Sequence, residues 1–174
     1  VRTCSPLLCA CLLVSAVWAA APVSGRVAPQ PGFTAAAEVA RAYDAVLDAD
    51  FDRIPQVLEE TCGPAPPVAC LSLQALATWW EIQLDPENRA LDTRFTSEAG
   101  IAIAEAGVWT EREPERAEAW FHLGAALGAR SQWKVLRKER LSAARDGKRI
   151  KEALERALAL DPAMHDAAFG IGLY

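Results

Sequence analysis

Hydrophobic positions in the second half of the chain recur every three or four residues and restart after each of two prolines. Pro114 precedes Trp120, Leu123, Gly124 and Leu127, and Pro162 precedes Ala168, Ile171 and Gly172 with the same interval from proline to glycine. Such spacing gathers apolar side chains on one face of an α-helix, and its restart is an internal repeat. The same period predicts four earlier helices. The first covers 34–48, with Val39, Tyr43, Val46 and Leu47 on one face and a turn at Asp48-Ala49-Asp50. The second runs through Ile54 and Leu58 to Cys62, where Gly63-Pro64-Ala65-Pro66-Pro67 stops it because proline lacks the amide donor and crowds the preceding turn. A third helix over 68–84 carries Leu71, Leu76, Trp79, Trp80 and Leu84. The fourth carries the stripe Leu91, Phe95, Ala99, Ala102, Ala106 and Trp109, whose small members let a neighbour approach.

Pro114 suits the first turn of a fifth helix, with Glu113, Glu115 and Glu118 against its positive start. Asp146-Gly147 reads as a turn. After it a sixth helix carries Ile150, Leu154, Ala157 and Leu158 and ends at Asp161-Pro162, and a seventh opens behind it. The expected fold is all-α: about seven helices in stacked antiparallel hairpins, each hairpin gaining a dry interior only from its neighbours.

Residues 114–174 resemble the tetratricopeptide repeat family. Trp120, Leu123, Gly124 and Leu127 take the early places of its helix-turn-helix unit; Ile150, Leu154, Ala157 and Pro162 take the late ones, and Ile171 and Gly172 open the next unit. The likeness over 34–112 is looser. It implies an α-solenoid whose successive first helices line a concave surface for a protein or peptide. Pro114 and Pro162 stand 48 positions apart, against about 34 in the family. The surplus is expected to lengthen the fifth helix by nearly four turns, about 21 Å, or else to be absorbed by a kink near Ser131.

The start of the chain has its own pattern. Arg2, an apolar run over 6–18 and Ala19-Ala20-Ala21 have the layout of a secretory signal. The apolar run is shorter than the roughly 20 residues of a membrane span, so no stable span is expected after cleavage. Residues 1–21 are thus expected to be a signal peptide, 22–32 a flexible Gly/Pro linker, and 33–174 a helical domain whose pattern continues past Tyr174. Cleavage removes Cys4, Cys9 and Cys11 and leaves Cys62 and Cys70, a pair that an oxidising compartment would join. Closing that loop would stabilise the fold by about 2.6 kcal/mol in the chain-entropy account. The alternative is two buried thiols; zinc is disfavoured because neither His122 nor His165 has ligand spacing to the cysteines.

Charge changes the picture in one place. Over 130–151 nine basic residues (Arg130, Lys134, Arg137, Lys138, Arg140, Arg145, Lys148, Arg149, Lys151) face two acids, a balance of +7, so the remainder of a chain of net charge −5 carries −12. Trp133, Leu136, Leu141 and Ala144 give this stretch an apolar side. Trp133, Lys134, Arg137, Lys138 and Arg140 are candidates for a surface that docks an acidic partner, an anionic ligand or a lipid head group; the alternative is a solvated face balancing the acidic half. Export, the acidic total and the lack of a nucleic-acid motif disfavour DNA. No nucleotide loop, nucleophile elbow or zinc-protease helix occurs, and no catalytic, cofactor or metal residue is assigned. Gly170-Ile171-Gly172 is read as close packing between hairpins. The expected function is a non-enzymatic exported scaffold that mediates protein-protein or protein-peptide interaction in a bacterial-type cell envelope. The alternative is a solute-binding or transport accessory protein enclosing a small apolar or anionic ligand near Trp79, Trp80 and Trp133.

Overall fold

The computed structural model describes residues 32–173. The expected signal peptide and nearly all of the expected linker lie outside these residues. The described part is all-helical: α1 Ala36–Leu47, α2 Ile54–Cys62, α3 Pro67–Leu84, α4 Asp92–Arg112, α5 Ala117–Leu136, α6 Arg140–Leu160 and α7 His165–Gly172. Each helix packs on the next in the chain, and α3 also touches α1 and α5.

Three apolar groups hold the helices together. Ala42 and Val46 of α1, Ile54 and Leu58 of α2, and Leu73 and Ala77 of α3 form the first. The α4 stripe is buried as its spacing predicts, with Phe95, Ala99, Ala102 and Ala106 all fully enclosed. Phe95 joins Trp79 and Ile82 of α3 and Ala129 of α5, while Ala102, Ala106 and Trp109 meet Leu123, Leu127, Ile150, Leu154 and Ala157 in the largest group. Trp120 and Ile171 pack against that largest group from its edge. Pro162 is exposed in the turn before α7.

The Cys62 and Cys70 sulfurs are bonded, with Cα atoms 5.8 Å apart. The bridge spans the proline-rich break between α2 and α3, where Pro67 starts α3 at its first turn. The end of α1 takes its expected turn at Ala49, in the left-handed region at φ 57°. There the Asp50 amide donates to Ala45 O and the Ala49 amide to Val46 O, the paired bonds that close a Schellman C-cap.

The long hairpin departs from expectation. Instead of one helix extended to Asp146-Gly147, α5 stops at Leu136 and the chain turns at Lys138, whose φ is 65°. The same paired bonds appear: Glu139 N to Lys134 O at 2.7 Å and Lys138 N to Val135 O at 3.0 Å. Asp146-Gly147 therefore lies inside α6, and the surplus residues lengthen both helices of the hairpin. The physical reason is that Asp146 is buried and occupied, accepting from Arg130 Nη2 at 2.7 Å and Lys134 Nζ at 2.8 Å across the hairpin. A buried carboxylate with two cations is held in place, whatever its turn propensity. Pro114 is likewise one turn earlier than expected: residues 113–116 form a bend, and α5 begins at Ala117 with only Glu118 in its first turn.

Gly172 also differs from its expected role. Open space surrounds it, whereas a methyl built on Gly124 would come within 2.6 Å of Leu154 Cδ2 and one on Gly170 within 2.8 Å of Leu154 Cδ1. The close approach on α7 belongs to Gly170, because two residues along a helix turn the side-chain direction by about 200°.

Candidate functional site

The tip of the long α5–α6 hairpin lies beside the start of α4 and is fastened on two sides. Arg137 Nη2 and Nε reach the Asp92 carboxylate at 2.7 and 2.8 Å, Arg137 Nη1 donates to Pro86 O at 2.6 Å, and Trp133 Nε1 donates to Asp92 at 3.0 Å. Burial pushes the Asp92 carboxyl up, but the bonds from Arg137 and Trp133 and the Arg137 and Arg89 charges outweigh it and hold its pKa below the usual range. Asp146 follows the same balance: burial raises it, and the bonds and charges of Arg130 and Lys134 bring it below normal.

These clamps consume part of the basic stretch. Trp133 packs at 5.9 Å from the Phe95 ring, Lys134 is 13% exposed and Arg137 7%. Three of the five residues expected on a partner surface thus serve as internal ties, and only Lys138 and Arg140 are exposed. Sequence alone hid this, because the acids that pair with these cations stand 12 to 45 positions away.

Beside the fastened tip lies an open groove of about 1110 Å³. Trp79 and Gln83 of α3 form one wall, and Gln132, Val135 and Leu136 of α5 form the floor. Ala143, Ala144, Gly147 and Ile150 of α6 form the opposite wall, with Ile171 and Leu173 at the far end. Arg140, Lys148 and Lys151 stand along the α6 rim, and no acid is among the described lining residues. Positions 140, 144, 147, 148 and 151 share one helical face, so small residues keep the wall low between the cations. Arg140 has no ion pair among the described residues. Lys148 and Lys151 approach Glu152 and Glu155 at 3.8 and 3.7 Å, in exposed pairs that contribute little. Val135 on the floor and Leu173 at the far end are more than half exposed, so both are open to a ligand. The arrangement offers apolar contact together with three cations that can turn toward an anion.

A second polar cluster sits at the start of α5. Glu118 is 1% exposed and accepts from Thr34 N at 2.7 Å, Thr34 Oγ1 at 2.9 Å and Arg116 Nη2 at 2.5 Å, which holds the segment before α1 against α5. Phe33 packs edge-on to Phe121 with ring centres 4.7 Å apart. His122 lies beside them, stacked on Trp109 at 6.0 Å. Burial lowers its pKa to about 4 against a smaller opposing pull from Glu118, so His122 is a neutral core side chain at ordinary pH. Trp79 is buried and Trp80 about one-third exposed, so the tryptophan pair does not face one pocket.

Comparison with known proteins gives no relative: no family model, curated protein or solved structure matches the chain. Among the described residues no group of three or more His, Cys, Asp or Glu is placed to hold a metal ion, and no helix is long and apolar enough to cross a membrane.

Proposed function

We propose that this chain is a non-enzymatic, exported scaffold of tetratricopeptide-repeat type, which holds a partly apolar, acidic segment of a partner protein in the groove between α3, α5, α6 and α7. The observation that carries the reading is the pairing of a mostly apolar lining with Arg140, Lys148 and Lys151 and no acid among the described lining residues. Apolar burial supplies affinity there, and the cations supply orientation and a preference for carboxylates. Support for stacked hairpins comes from packing in chain order, with α3 also touching α1 and α5, as side-by-side first helices require. Leu123, Gly124 and Leu127 face the shared interior and Trp120 packs against its edge, which supports the family likeness. The Cys62–Cys70 bond supports a periplasmic or secreted location.

Calorimetry with a synthetic Leu/Glu amphipathic helix and its Leu/Lys counterpart tests the proposal. The acidic peptide binds, the basic one does not, and Lys148→Glu with Lys151→Glu weakens binding about tenfold or more. Equal binding of the two peptides, or an unaffected double variant, contradicts it. N-terminal sequencing of the exported chain checks the compartment and is expected to find a start between Ala20 and Pro22.

One observation favours a second reading, a carrier of a small anionic amphiphile: the exposed Val135 and Leu173 with the half-buried Leu136 and Ile171 give the groove an apolar surface beside its cations. Native mass spectrometry distinguishes the two, since a carrier retains a bound molecule of defined mass and the scaffold does not.

A further inference from the structure

The outer face of α1 has the chemistry that the groove selects. Packing of Ala42 and Val46 against α2 and α3 leaves Tyr43 40% and Leu47 51% exposed, with the exposed carboxylates of Asp44 and Asp48 beside them. Positions 43 and 47, and 44 and 48, are one turn apart, so two apolar side chains and two acids form a continuous strip. Asp44 and Asp48 are separated by about 6 Å along the helix and Lys148 and Lys151 by about 4.5 Å, a difference that lysine side chains absorb.

Charge follows the same division. Residues 32–91 contain ten acids and three bases, a balance of −7, against +7 over 130–151. α1 contributes nothing to the described groove lining, so one chain carries both surfaces without using one for the other. From this we infer that the groove receives a second copy of the chain, the α1 strip of one molecule docking head to tail into the groove of the next. The inference rests on the groove being the binding site proposed above, and names its partner. The contact is heterologous: each molecule has one strip and one groove, and association continues past the dimer unless the geometry closes a ring. Opposite fields on the two parts orient the approach and make association sensitive to salt. The exposed Lys148–Glu152 and Lys151–Glu155 pairs give way to the incoming carboxylates, since such pairs add little to stability.

Sedimentation velocity of the whole chain at low and high salt, with two variants, tests the inference. One variant removes the strip (Asp44→Asn, Leu47→Ser, Asp48→Asn), and the other reverses the rim (Lys148→Glu, Lys151→Glu); circular dichroism checks that both keep their helicity. The wild type is expected to form oligomers that grow with concentration and dissolve in salt, and each variant alone to be monomeric. Mixed in equal amounts, the variants form a dimer that grows no further, because only one strip and one groove remain. The Leu/Glu peptide binds the strip variant as it binds the wild type. A wild type that stays monomeric yet binds the peptide overturns the inference and leaves the binding site standing. A chain that neither assembles nor binds the peptide overturns both. Assembly that survives loss of the strip overturns the inference alone.

Discussion

Leu154 projects from α6 with its two methyl groups against two glycines, Gly124 on α5 and Gly170 on α7. Neither helix can carry a side chain there unless Leu154 moves, and Leu154 is enclosed on both sides at 3% exposure. Gly124→Ala improves helix propensity by about 1 kcal/mol but overpacks the contact by about 1–3 kcal/mol, so a lower melting temperature is expected. Leu154→Ala leaves a cavity and is expected to destabilise by about 2–5 kcal/mol. Joined to Gly124→Ala, it should cost less than the sum of the two, because the new methyl fills part of the vacated space. A strictly additive pair in denaturant melts would show that the two residues do not meet.

His122 makes a second prediction at this scale. Its pKa falls from about 6.5 to about 4 on burial among Trp109, Phe121 and Phe33. The neutral form is thus favoured in the fold, and the contribution is complete above about pH 6.5 and lost as pH falls toward 4 and below. The linked free energy is on the order of 3 kcal/mol. His122→Phe should flatten the stability profile between pH 6.5 and 4, whereas an unchanged slope would assign the acid sensitivity to other groups.

At the scale of elements, the helices before residue 113 were legible as elements, because the α4 stripe and the proline-rich break carry local signals that tertiary contacts reinforce, but the face of α1 was not: Tyr43 and Leu47, expected to share a face with Val46, are exposed while Ala42 and Val46 pack inward. The hairpin turn was not legible either. Asp146-Gly147 has the composition of a turn, while Lys138, a residue with no preference for the left-handed region, occupies the real one. What decides between them is the Arg130–Asp146–Lys134 tie, which joins positions 12 to 16 apart and leaves no trace in local pattern. Two substitutions separate the alternatives. Lys138→Gly relieves the left-handed residue and should stabilise by about 1 kcal/mol. Gly147→Ala places a methyl in open space within a helix and should also stabilise by about 1 kcal/mol; a turn at Gly147 would make it destabilising. Arg137 shows the same blindness to distance. As a free surface cation it would tolerate replacement, but Arg137→Ala leaves the partly buried Asp92 carboxylate short of its main partner and is expected to destabilise by about 1–3 kcal/mol.

For the whole molecule, sequence pattern conveyed the helical class, the cysteine pair and the basic excess, but not the groove. Its lining comes from four helices, and the residues that matter on its rim, Lys148 and Lys151, read locally as partners of Glu152 and Glu155. Of the basic stretch, the deeper cations hold the hairpin and the outer ones face solvent, a partition set by depth. The proposed recognition surface is therefore the rim of α6 and the floor of α5, with α3 as the opposite wall. Amide chemical-shift mapping with the Leu/Glu peptide tests this most directly. Shifts are expected on Gln83, Gln132, Val135, Ala144, Lys148, Lys151 and the Trp79 indole, fading as salt is raised. Shifts confined to α2 and the exposed face of α4 around Ile101 and Val108, with the groove silent, would contradict the account.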